Sequence, residues 1–408
     1  MENKVSFKEA VIVLLAMLII MGLGVIKFGL SPQVPVLLVL VVVTFWAWIR
    51  HFAWTDVDNG IKEGIQTGII PIFIFILVGA LISTWIAAGI IPSMMVLGFH
   101  MISVTWFVPS VFFVCALVGT SIGSAFTIIS TIGIAFFGMG MTMGVNPALV
   151  AGAIISGAIF GDKSSPLSDS TNLASAVVGV DLFDHIKNLM WSTIPAFLGS
   201  LILYAILGFH ATSSANLGKI DQTVAVLQAH FSVNFWAIIP IALMFFCAWK
   251  KIPAIPTLFI NIVVSVLMVF IEQPQTQVSK IATIIESGFV SKTGNASVDA
   301  LLTRGGIGSM MGTVSLIILT LSLGGLLMKF GLIQAVMEPL TKHLNSDGKM
   351  VTATILSGIG VNIFIGEQYL SVILPGKAFK KAYNQSGLAN LALSRVLEDG
   401  GTVINYLI

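Results

Sequence analysis

Charge is the scarcest commodity in this chain: Lys, Arg, Asp and Glu make up 9% of its 408 residues, against 56% hydrophobic ones and a mean hydropathy of +1.00. A soluble domain carries about 25% charged residues. So few charges would leave large apolar patches exposed to water, which folded monomers rarely tolerate. The shortage is uneven. From Gly64 to Gly161 there is no Asp, Glu, Lys or Arg, and His100 is the one partly titratable group in those 98 residues. One helix needs roughly 20 residues to cross the hydrocarbon, so this stretch is several crossings long.

Other absences narrow the field. A net charge of +2 with no block of like charges offers neither a nucleic-acid footprint nor a polybasic lipid anchor. The two cysteines, Cys115 and Cys247, both lie in apolar runs and read as small buried hydrophobes rather than a disulfide. There is no HExxH, Walker loop or Cys/His metal spacing. The N-terminal MENKVSFKEA leads into an apolar run without a small-residue cleavage site, as expected of a first membrane helix that is retained.

What is present is an all-α polytopic pattern of about 10–12 transmembrane segments. Candidates cover 10–27, 34–49, 68–88, 92–113, 113–138, 147–160, 189–209, 234–249, 254–271, 311–330, 352–375 and a last one from 388. Glycines, Pro109 and Pro147 interrupt 92–160, as in broken or re-entrant helices that line a site. Polar stretches at 50–67, 210–233 and 272–310 are too small for separate domains. The expectation is one membrane domain in two halves, about 1–210 and 233–408. Lys4, Lys8, Arg50, Lys62, Lys250, Lys251, Lys377, Lys380 and Lys381 would mostly be cytoplasmic by the positive-inside rule.

Polar groups within apolar surroundings are costly, so each marks a candidate site. In GTSIGSAFTIISTIG (119–133), Thr120, Ser124, Thr127 and Thr131 recur at helical spacing and predict one hydroxyl-lined face, serving either a hard cation or close helix packing. GDKSSPLSDSTNLA (161–174) ends the uncharged run with Asp162, Lys163 and Asp169, while Ser165 and Pro166 must break the preceding helix. With Ser168, Ser170, Thr171 and Asn172 it forms an oxygen-rich cage of the kind that binds ions at helix breaks. Lys163 is either a counter-charge for a departing cation or an interfacial charge. In the second half, GEQYLSVILPG (366–376) sets Glu367 one turn from Ser371 in a helix ended by Pro375, and SRVLEDGGT (394–402) brings Glu398, Asp399 and Thr402 to a Gly-rich break. Ser124 to Asp162 is 38 residues and Glu367 to Glu398 is 31, a correspondence expected of internal, inverted repeats.

These motifs resemble the NhaC family of Na+/H+ antiporters, within the ion-transporter superfamily. The most specific run is NPALVAGAIISGAIFGDKSSPLSDSTNLA (146–174). STWIAAGIIP, HIKNLMWSTIPA, RGGIGSMMGTVSLIILTLSLGG, GEQYLSVILPG and SRVLEDGGT extend the likeness over residues 83–402. Two features depart from the family pattern. Glu367 stands where many relatives have Asp, and the second acidic motif runs into VINYLI, as in a shortened protein or one lacking its C-terminal end.

The resemblance implies a secondary transporter of a prokaryotic cytoplasmic membrane that exchanges Na+ for H+ by alternating access, without a cofactor and not an enzyme. Relatives of this kind also include sodium-linked exchangers of small carboxylates such as malate and lactate, which stay open as an alternative. A carboxylate partly removed from water suits the exchange, since it can hold a proton or a cation but not both. Asp162, Asp169, Glu398, Asp399 and Glu367 are the candidates, with a candidate Na+ set of Asp162, Asp169, Ser165 and Thr171. Expected partners are the bilayer, Na+, H+ and, on the alternative, a small carboxylate held by Lys163 or Arg395, with a homodimer as the candidate assembly. An enzyme rival, GTSIG as a GxSxG nucleophile motif around Ser121, would need a strand-to-helix turn.

Overall fold

The computed structural model describes residues 5–101, 104–212, 217–250, 252–342, 346–366 and 368–406. Among these, regular structure is helical throughout, apart from one antiparallel bridge between Phe289 and Arg304. That is what a bilayer demands, because a helix satisfies its own backbone hydrogen bonds. Among the described residues, six helices are long and apolar enough to span: Phe7–Lys27, Ile69–Ala87, Leu182–Phe209, Ala254–Glu272, Ile307–Lys329 and Asp347–Ile365. A seventh crossing is available if Ile220–His230 and Phe235–Cys247, bent by 94°, act as one broken span. Gln33–Ile49, Ile90–His100, Phe107–Ile122 and Ile132–Thr142 are shorter apolar helices. At 1.5 Å per residue these short helices reach across only part of a hydrocarbon core about 30 Å thick. The chain is a polytopic helical membrane protein, and among the described residues it combines full-length helices with broken and short ones.

Apolar side chains left on the surface fit the same solvent. On the helix Leu182–Thr212, Trp191, Leu198, Ile202 and Leu203 are all more than half exposed, a lipid-facing stripe.

The chain forms two compact units, one from residues 1–72, 170–188 and 312–408, the other from 73–169 and 189–311. In the first, Val36, Val39 and Val43 from Gln33–Ile49 join Leu326, Leu327, Phe330, Phe379 and Tyr383 in one buried cluster. In the second, the helices Phe107–Ile122 and Pro147–Ser164 pack along their length through small residues: a Cβ on Gly161 would come within 2.5 Å of the Ala116 carbonyl, Gly119 Cα and Thr120 N. Phe112, Phe160, Phe197 and Tyr204 close that pair from the side, with Tyr204 Oη 2.9 Å from Ser156 Oγ.

Several expectations about helix boundaries need correction. The predicted hydroxyl face at 120–131 is not one face, because Gly123 (φ 71°) ends the first helix and Ser124 caps a new one, Ala125–Ser130, which itself stops at Thr131. Residues 352–375 are not one segment, since Gly366 (φ 67°) separates Asp347–Ile365 from Gln368–Ser386. Pro375 does not end its helix but lies inside Gln368–Ser386.

Candidate functional site

In the second unit, the glycine-lined crossing brings the end of one helix to the start of another. Asp162 lies in the last turn of Pro147–Ser164 and is 9% exposed. Its carboxylate accepts hydrogen bonds from the Ser168 hydroxyl and the Ala125 backbone N–H, with Asp169 close enough to act on it electrostatically. Ala125 opens the short helix capped by Ser124, whose Oγ accepts from Thr127 N at 3.4 Å and Thr127 Oγ1 at 2.9 Å. A helix N-terminus carries partial positive charge, which favours the carboxylate there.

Gly123 makes this junction doubly dependent on glycine. Its φ of 71° suits no β-carbon, and one would meet Leu167 C at 2.8 Å and Ser165 Oγ at 2.9 Å. As the sequence predicts, the helix Pro147–Ser164 breaks at Ser165, and the fully buried Ser165 Oγ accepts from Leu167 N at 3.2 Å. Ser168 is buried, whereas Asp169 is exposed at the start of Asp169–Val178. Lys163 is 7% exposed. Thr120 is half-buried and spends its hydroxyl on Ala116 O at 2.9 Å.

In the first unit the second acidic motif is also a helix irregularity, though not a break. Asn390–Leu397 runs into a π-helical turn, Glu398–Thr402, and continues as Val403–Asn405. Glu398 is fully buried, and Ser170 Oγ donates to its Oε1 at 3.0 Å. Thr402 is 2% exposed, and its Oγ1 has no hydrogen-bond partner among the described residues. Ser371 is buried against this turn: a Cβ on Gly401 would meet its Oγ at 3.0 Å. The Asp399 Oδ2 faces Arg395 Nε at 3.9 Å, one helical turn back. Thr171 is buried and Asn172 exposed on Asp169–Val178. Glu367 lies outside the described residues.

Sequence reasoning missed Asn362, Asn405 and the ties around His185. Asn362 is fully buried, its Nδ2 donating to Gly401 O at 2.5 Å and its Oδ1 accepting from Asn405 Nδ2 at 3.0 Å. The signal is there to be read: Asn362 is the one amide in the apolar run from Met350 to Ile365. His185, also fully buried, places Nδ1 2.9 Å from Ser394 Oγ. Ser121, of the GTSIG pentapeptide, sits in the last turn of Phe107–Ile122 and donates to Leu117 O at 3.1 Å, so the strand-to-helix turn a nucleophile elbow needs is not formed around it.

The chemistry of these two clusters, buried carboxylates surrounded by hydroxyls at irregular points of membrane helices, agrees with the kinships of the chain. Residues 157–408 match the model of the Na+/H+ antiporter family. The chain is 37% identical over 408 residues, all of its length and 88% of the relative's, to the Na(+)/H(+) antiporter NhaC of Alkalihalophilus pseudofirmus. Identity is again 37%, over 90% of the relative, with the Na(+)/H(+) antiporter NhaC of Bacillus subtilis. It is 33% over 389 residues, 94% of this chain and 83% of the relative, with the malate-2H(+)/Na(+)-lactate antiporter of Bacillus subtilis. Matched by the family over more than half its residues and by relatives along its whole length, the chain belongs to the Na+/H+ antiporter family.

Proposed function

We propose that this protein is a secondary active transporter of the cytoplasmic membrane that exchanges Na+ for H+ by alternating access, and is not an enzyme. The observation that carries the reading is the pair of buried acids, Asp162 and Glu398, each at a helix irregularity and each accepting from a serine hydroxyl. A buried carboxylate is costly unless a proton or a cation neutralises it. Exchange occurs if each such group releases one only as it takes the other. Asp162, Asp169, Ser165 and Ser168 are the proposed Na+ ligands of the second unit. Glu398, Ser170 and Thr402 are those of the first, with Thr171, Ser371 and Asp399 in support. No cofactor enters this scheme.

A second reading, sodium-linked exchange of a small carboxylate, is favoured by one finding, the 33% identity to the malate/lactate antiporter. It needs a cation to hold the anion. Buried Lys163 and Arg395, which faces Asp399 at 3.9 Å, are the candidates.

Counterflow separates the two. Vesicles loaded with unlabelled Na+, malate or lactate are diluted into labelled Na+, and uptake is expected with Na+ inside alone. Labelled Na+ uptake that requires malate or lactate would overturn the Na+/H+ reading in favour of the second.

A further inference from the structure

The turn that carries Glu398 is held from outside its own helix. A π-helical turn amounts to a residue inserted into an α-helix, and such turns occur chiefly where function requires them. Reverting it to α-helix would shift the register by one residue and rotate the C-terminal continuation of the helix by about 100°. Glu398 and Thr402, at the two ends of this turn, would then no longer keep their present relation.

Two neighbours oppose that reversion. Ser371 lies against Gly401, where a Cβ would meet its Oγ at 3.0 Å and its carbonyl oxygen at 3.1 Å. Asn362, from the helix Asp347–Ile365, grips the same residue through its carbonyl at 2.5 Å. The Asn362 amide is itself fixed, because Asn405 Nδ2 donates to its Oδ1 at 3.0 Å and leaves Nδ2 pointing at Gly401. One buried amide thus bonds both the turn and the helix that continues it. Thr402 Oγ1 and Ser357 Oγ are buried without a partner among the described residues, Thr402 in the turn and Ser357 next to Gly358, which itself packs on Gly401.

We propose that Asn362 is a positioning residue for exchange: through the Gly401 carbonyl it holds the π-helical turn in the register that sets the Glu398 carboxylate and the Thr402 hydroxyl for the cation. This rests on the Na+/H+ reading above. Asn362→Asp keeps the shape and removes the donor, and Asn405→Ala leaves Asn362 in place but frees its amide to turn.

The test compares both variants with the wild-type protein in proteoliposomes, reading proton flux against Na+ concentration, and measures amide hydrogen exchange over residues 398–405. Loss of one buried hydrogen bond predicts a KM for Na+ raised about tenfold, a smaller change in kcat, and faster amide exchange at 398–405 with none at 150–160. A purely structural role would lower the amount of folded transporter and leave the KM unchanged. Unchanged KM or unchanged amide protection in a folded variant overturns the inference. Should Asn362→Asp fail to fold, Asn405→Ala applies the same criteria. Wild-type protein that moves no protons in response to Na+ overturns the exchange reading and this inference with it. Wild-type exchange with unaltered KM in the variants removes this inference alone.

Discussion

Asp299, in the polar connection before the helix Ile307–Lys329, shows how a single carboxylate can organise a loop. It accepts from Thr293 N at 2.7 Å, Ser291 Oγ and Thr293 Oγ1 at 2.8 Å, and Gly294 N at 3.2 Å. These bonds, the Thr293 amide first, hold its carboxyl below the usual carboxylate range. A group depressed in this way stabilises the folded loop fully above its unfolded pKa of about 3.9, and the contribution disappears as pH falls through the lower folded value. Limited proteolysis should therefore find the loop protected at pH 7, nicked faster in Asp299→Asn, and least different between the two proteins at the acid end of the range. Equal nicking at pH 7 would contradict this role.

Residue by residue, the sequence was most informative where a charge interrupts an apolar run, as at Asp162 and Glu398. Asn362 escaped because a single amide carries no charge to mark the apolar run, although its burial also requires hydrogen-bond partners.

Elements are set by glycine as much as by apolar pattern. The helices Phe107–Ile122 and Pro147–Ser164 meet at Gly119 and Gly161, and Asp162 comes directly after that crossing. Gly161→Ala would force a methyl group against backbone at 2.5 Å. The expected cost is about 1–3 kcal/mol, read as a lower midpoint of thermal unfolding in detergent; an unchanged midpoint would show that the crossing gives way freely.

In the first unit three hydrogen bonds tie the segment before Glu398 to residues 178–188. Asn188 Nδ2 donates to Leu391 O at 3.0 Å, Asn390 Nδ2 to Val178 O at 3.4 Å, and His185 Nδ1 lies 2.9 Å from Ser394 Oγ. Ser394 Oγ is also placed to donate to Leu391 O at 2.9 Å, an arrangement that suits a His185 tautomer with Nδ1 as the donor. His185→Ala should cost about 1–3 kcal/mol on the same unfolding measurement, and Asn, which can offer an N–H, should recover part of it.

The limits of sequence reading are physical at this scale too. Periodicity located the helix Pro147–Ser164 and its break at Ser165, but it joined residues on either side of Gly123 and Gly366, because a left-handed glycine leaves the hydropathy profile unbroken. Conversely, Pro375 reads as a stop yet is accommodated within its helix.

For the whole molecule, scarcity of charge identifies the bilayer, and the few acids that persist inside it define what is to be tested. Among the described residues, six full-length helices and several shorter ones arise from the same apolar runs. Asp162, beside a helix break, and Glu398, in a π-helical turn, are both buried, and on the exchange proposed above Na+ and a proton would occupy them in alternation. The most direct measurement loads proteoliposomes with Na+, dilutes them into Na+-free medium and tracks lumenal pH. The wild-type lumen should acidify as Na+ leaves and protons enter, without any organic acid, while Asp162→Asn and Glu398→Gln should match protein-free vesicles. Normal acidification by both folded variants, or none by the wild-type protein, would contradict the account.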